Sequence, residues 1–169
     1  MRTDPKSEGS EFSLLKEYLD YQRETVLMKT AGLNRRQMAQ TLPPSSLTLA
    51  GLLYHLALVE ENWMEVRFCG LADREPWAQV DWEADPEWEF RNAVNIDPDQ
   101  LRLRYRQACD RSREIVSKAN GPHQLSAKPL HSGDFFSLSW IMLHLIEETA
   151  RHAGHADLLR EAVDGEVGE

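Results

Sequence analysis

Residues 144–161 read HLIEETARHAGHADLLRE, and what this stretch faces decides the fold. At about 3.6 residues per turn, Ile141, Leu145, Glu148, His152, His155 and Leu159 fall on one line of a helix. Such a line packs against a neighbour, yet it carries a carboxylate and two imidazoles where core leucines are expected. A buried carboxylate is costly unless it is paired, hydrogen-bonded or bound to a cation. A long helix with this face therefore needs other helices beside it, one of them supplying a partner for Glu148 and His152.

Working outward, the helical period recurs in three further long stretches, and strand alternation of any length is absent. The first helix is expected from Glu11 to Ala31, with Leu14, Tyr18, Tyr21, Thr25 and Met28 on its main stripe and Leu15, Leu19 and Val26 beside it. Gly32 and Asn34 supply its stop, and a short helical turn follows from Arg35 to Gln40. The prolines of TLPPSS, residues 41–46, break the chain, and Ser45 or Ser46 is expected to cap the second helix, Leu47 to Phe68. Its stripe is Leu52, His55, Val59, Asn62 and Val66. Gly51 interrupts it at a cost of about 1 kcal/mol against alanine, unless close packing needs the missing side chain.

Residues 71–97 form a connection rich in tryptophan, aspartate and proline, with a short helical piece at Pro86–Phe90. The third helix runs from Pro98 to Ala119, capped by Asp97, with Leu101, Tyr105, Ala108, Ser112 and Ile115 inward. A polar stretch, residues 120–135, leads to the fourth helix, Leu138 to Ala162, capped by Ser137. Four long helices in one domain over residues 1–169 give an all-α four-helix bundle. The long connections permit crossovers and an up-down-down-up order.

The net charge of −9 disfavours nucleic acid and anionic membrane surfaces, both of which require a basic face. Cys69 and Cys109 form no CxxC pattern and read as reduced, buried thiols, neither a disulfide framework nor a thiolate metal site. The opening MRTDPKSEGS has no apolar run of the signal-peptide kind, and no stretch is apolar enough to span a bilayer. A cytoplasmic protein acting on small molecules is the expectation. The five tryptophans are expected to fill the bundle end and cover the long connection, with an interface compatible with a homodimer as the alternative.

His55 lies on the second helix at a depth comparable to Glu148 and His152 on the fourth. Two imidazoles and one carboxylate form a catalytic zinc set, and nickel, manganese or iron also suit such ligands. The competing reading keeps His55 as a hydrogen-bonded core histidine, pairs Glu148 with Arg151 at the surface, and places His152 in a hydrogen-bond network. His155 continues the line as a catalytic proton carrier, a further ligand or an orienting donor. His144, one turn before Glu148, is another candidate ligand, while His123 and His131 in the preceding loop are expected to be solvated. Tyr54, Asn62 and Arg23 are expected to shape the pocket mouth.

GLLYHLALVEENW, residues 51–63, together with HLIEETARHAGHADLLRE, resembles the DinB/YfiT-like superfamily of metalloenzymes. DYQRET (20–25), PPSSLTLAGLLYHL (43–56), CGLADREPW (69–77) and HAGHADLLREAVDG (152–165) are similar to an actinobacterial branch of DinB domains related to mycothiol-dependent enzymes. The resemblance implies a four-helix bundle with a metal triad at one end of the core. The common triad is three histidines, of which His55 and His152 match the first and last. Glu148 departs from that form and resembles the His/Glu/His arrangement of mycothiol-dependent maleylpyruvate isomerase, where the metal is zinc. The activity that the resemblance implies is transfer of a low-molecular-weight thiol, such as the co-substrate mycothiol, to an electrophilic small molecule. A metal-dependent hydrolase and a non-enzymatic, metal-stabilised structural protein are the alternatives.

Overall fold

Four side chains start the long helices by accepting a backbone N–H from the first turn: Ser10 from Ser13, Thr48 from Gly51, Asp97 from Asp99 and Ser137 from Trp140. A computed structural model describes residues 2–129 and 133–167 of the chain. Its helices are α1 (Glu11–Lys29), α2 (Arg35–Met38), α3 (Leu49–Glu60), α4 (Trp88–Ala93), α5 (Pro98–Lys118) and α6 (Leu138–Asp164), with a π-helix at Glu61–Phe68 and a single 3₁₀ turn at Trp77–Gln79. Among the described residues the only β pairing is two isolated bridges, Thr41 with Thr48 and Leu125 with Ser137. The fold is the expected all-α bundle.

Three expectations about the elements are corrected. Thr48, not Ser45 or Ser46, caps the second long helix. That helix is not α-helical to its end: after Glu60 its register widens, and the Cys69 N–H reaches back five residues to the Met64 carbonyl at 3.2 Å. Glu60 and, beyond it in the wider turn, Glu61, Met64, Glu65 and Phe68 lie in the interior, while Val59, Asn62 and Val66 are half-buried. On α1 the core face is Leu19, Arg23, Val26 and Leu27, and Tyr18 of the expected stripe is exposed.

The interior divides into two apolar clusters. One gathers Val26, Leu52, Leu53, Leu56, Trp77, Leu101, Tyr105 and Leu159; the other gathers Leu19, Met64, Phe68, Val116, Ile141 and Leu145. Each fully buried leucine contributes about 2 kcal/mol of transfer free energy. Lys29 near the end of α1 bonds Asp157 near the end of α6 at 2.7 Å, so these two helices run in one sense. Trp63 in the π-helix lies 5.4 Å from Trp140 at the start of α6, so α3 runs against them. α5 accompanies α3, with Arg104 on Glu61 and Arg111 on Glu65.

Acidic residues on the α3 and π-helix face are buried because arginines from elsewhere meet them. Arg23, expected at a pocket mouth, is in the core: its Nε and Nη2 each donate to a Glu60 oxygen at 2.6 Å, and Ser112 Oγ donates to the same carboxylate at 2.6 Å. Glu61 accepts from Trp77 Nε1 at 2.7 Å and from Arg111 at 2.8 Å. Tyr54 is likewise not at a mouth; it is buried under the long connection, 4.5 Å from the Trp77 ring. Asn62 is half-buried in the π-helix. Trp77, Trp82 and Trp88 cover the bundle as expected, whereas Trp63 and Trp140 form a separate group with Phe136. Cys109 is buried, but Cys69 caps the π-helix and is exposed.

Candidate metal centre

The antiparallel pairing of α3 and α6 sets His55 opposite the line through Glu148 and His152. His55 Nε2 lies 3.3 Å from Glu148 Oε1, and His152 Nε2 lies 3.2 Å from the same oxygen. One ligand atom from each of the three residues falls within 4.8 Å of the others. Their side chains are 19%, 16% and 12% exposed respectively, sheltered but not sealed from solvent. Arg151 stands 3.9 Å from Glu148 Oε2, a weak contact beside the two imidazoles, so surface pairing does not account for Glu148.

The ring nitrogens that face away from this point are also engaged. His55 Nδ1 is 3.0 Å from Glu89 Oε1, and His152 Nδ1 is 3.3 Å from His155 Nδ1. A metal-ligating imidazole offers one nitrogen to the ion and its other N–H to an acceptor, which fixes its tautomer. Both histidines have that arrangement. The donor set, two Nε2 atoms and a carboxylate oxygen, fits a divalent ion such as zinc.

Electrostatics agree with the fit. Burial alone pulls His55 down, but hydrogen bonds and charge from Glu89 and Glu148 raise it above the ordinary imidazole value. Burial pushes Glu148 up, yet His55 and His152 hold its carboxyl below the usual range. Burial and the neighbouring His55 charge press His152 below the ordinary value. Two carboxylates thus converge on the imidazoles in a sheltered site, a charge balance that favours a dication.

The sequence model of Mycothiol-S-transferase matches residues 14–165. The chain belongs to the mycothiol-S-transferase family. That match agrees with the resemblance to the DinB/YfiT-like superfamily. No curated protein matches the chain in sequence. Among solved structures, a conserved protein of a locus from Enterococcus faecalis is similar, with a TM-score of 0.69 at 15% identity over 94% of this chain and 100% of that one. At that identity the likeness is one of fold. No helix among the described residues of this family member is long and apolar enough to cross a membrane.

Within this mycothiol-S-transferase family member, the other histidines separate clearly. His155 sits behind His152, in contact with its ring. His144 does not join the cluster; it stacks on Trp140 at 5.5 Å and meets Trp63 at 4.7 Å. His123 is exposed, as expected, and His131 lies outside the described residues. Glu89 is the residue that sequence reading missed. A short helix was expected at Pro86–Phe90 and lies at Trp88–Ala93, but nothing in its spacing shows that it crosses His55, with the Phe90 ring stacked 4.9 Å from the imidazole.

Proposed function

We propose that this mycothiol-S-transferase family member moves a low-molecular-weight thiol, such as mycothiol, onto an electrophilic small molecule, with a divalent ion held by His55, Glu148 and His152. The observation that supports this reading most is the meeting of two Nε2 atoms on one Glu148 oxygen while both Nδ1 atoms are engaged behind. Bound there, zinc would supply positive charge that lowers the pKa of a thiol at neutral pH.

The chain's own residues do the rest. Neither cysteine is placed as a nucleophile: Cys109 is buried against Glu60 and Cys69 ends the π-helix, so the reacting sulfur comes from a co-substrate. In the transfer the thiol loses its proton and sulfur bonds to the electrophilic carbon. A halide leaves that carbon as an anion; in an epoxide the C–O bond breaks and the oxygen takes a proton; in an unsaturated acid the C=C π bond breaks and the carbon beside the carboxyl takes the proton. His155 is the catalytic residue of this proposal: its Nδ1 lies 3.3 Å from His152 Nδ1 and its ring is half-exposed, a position that suits proton exchange with solvent or substrate.

An assay of thiol loss tests the proposal, with mycothiol and a panel of epoxides, activated halides and unsaturated acids, run with zinc and with a chelator. Zinc-dependent thiol consumption with matching product is expected. His155→Ala, assayed at saturating zinc, is expected to lower turnover roughly 100-fold. Product formed by water with no thiol consumed would replace transfer by hydrolysis.

A further inference from the structure

We infer that Glu89 is a positioning residue for His55, held over it by α4, and that it fixes the imidazole so that Nε2 is presented toward Glu148. The inference rests on the metal reading above for its consequence but not for its geometry. It begins at Gly51, one helical turn before His55. A Cβ there would come within 2.9 Å of Phe90 Cδ1 and 3.5 Å of the Phe90 Cα. The missing side chain lets α4 lie directly on α3, which explains a glycine that the helix otherwise tolerates at a cost. α4 then delivers two adjacent side chains to one imidazole, the Phe90 ring against its face and Glu89 Oε1 at 3.0 Å from Nδ1.

Glu89 is 4% exposed, and its Oε2 is buried with no hydrogen-bond partner. A desolvated carboxylate with one described hydrogen bond is poor stabilising material; an apolar side chain of similar volume would serve packing better. Its chemistry is directed at His55. A neutral imidazole carries one N–H. Glu89 accepts that N–H at Nδ1, so the lone pair stays on Nε2, on the side of Glu148 and His152. The stacked Phe90 ring restrains the plane. The negative charge of Glu89 also makes the ring a stronger donor to a cation, the usual effect of a carboxylate behind a metal-binding histidine.

Glu89→Ala and Glu89→Gln test this by two readouts in the full-length protein. One is the tautomer of His55, from ring 15N shifts in zinc-free protein at alkaline pH; the other is Zn²⁺ affinity by chelator competition. The wild type is expected to hold the proton on Nδ1. Glu89→Ala is expected to move it toward Nε2 and to weaken Zn²⁺ binding about 10- to 100-fold. Glu89→Gln keeps an acceptor oxygen without the charge, so it should retain the tautomer and lose less affinity. An unchanged tautomer and affinity in Glu89→Ala, or a lowered melting temperature as its only effect, would overturn the inference. Should the alanine variant fail to fold, a glutamine variant whose tautomer and affinity both equal the wild type's would overturn it too. A wild-type protein that binds no zinc would defeat the metal reading, while the tautomer would still decide the role of Glu89.

Discussion

Glu60→Ala removes the acceptor that keeps Arg23 in the core. The two side chains are almost fully buried and joined by two bonds of 2.6 Å, with Ser112 Oγ donating to the same carboxylate. Burial pulls the Arg23 pKa down, and the Glu60 charge more than restores it, so the guanidinium stays charged inside the protein. Without Glu60 it retains Asp20, a 2.9 Å contact with a side chain that is 41% exposed, and Ser112 loses its acceptor. Breaking such a pair costs about 3–5 kcal/mol, which for a chain of this size lowers Tm by about 6–20 °C. Urea unfolding followed by circular dichroism measures it. The double variant Arg23→Met with Glu60→Leu provides the control, because exchanging a buried pair for apolar groups is close to neutral or stabilising. A loss below about 1 kcal/mol in Glu60→Ala, or a double variant no more stable than the single one, would refute the reasoning.

Two further outcomes are expected of the described groups. In the folded protein a thiol reagent should label Cys69 and leave Cys109 untouched until unfolding, because burial and the nearby Glu60 push the Cys109 thiol well up; equal labelling rates would contradict this. In metal-free protein, NMR titration of the ring protons should place His55 above the ordinary imidazole value and His152 below it. The raised His55 contributes stability that is full below its unfolded value and lost as pH rises through the folded one. The depressed His152 contributes stability that is present above its unfolded value and lost as pH falls through the folded one. Coincident or reversed titrations would contradict the electrostatic account.

The long helices were legible from local spacing and breaks, and Glu148 and His152 from polar residues at core positions of one helical line; that His55, 93 residues from Glu148, joins them was suggested by its own stripe and implied by the resemblance to the DinB/YfiT-like superfamily. What could not be read depends on partners distant in the chain. Glu60, Glu61 and Glu65 are buried against Arg23, Arg104 and Arg111, with Ser112 and Trp77 donating to the first two, and no local pattern pairs them. The π-helix escaped because the expected stripe assumed one period throughout, and the widened turn rotates the residues after Glu60. On α1, Leu14 and Leu15 are neighbours and Tyr18 is amphipathic, so apolarity alone did not separate the core face from its edge. Glu89 lies 34 residues from His55, in a connection whose path no local pattern encodes.

The account stands on the three side chains gripping a cation. Elemental analysis of the protein purified without an affinity tag, repeated on His152→Ala, tests this most directly. The wild type should carry about one zinc per chain and the variant little or none, with both folded. Equal metal content in the two proteins, or none in either, would contradict it.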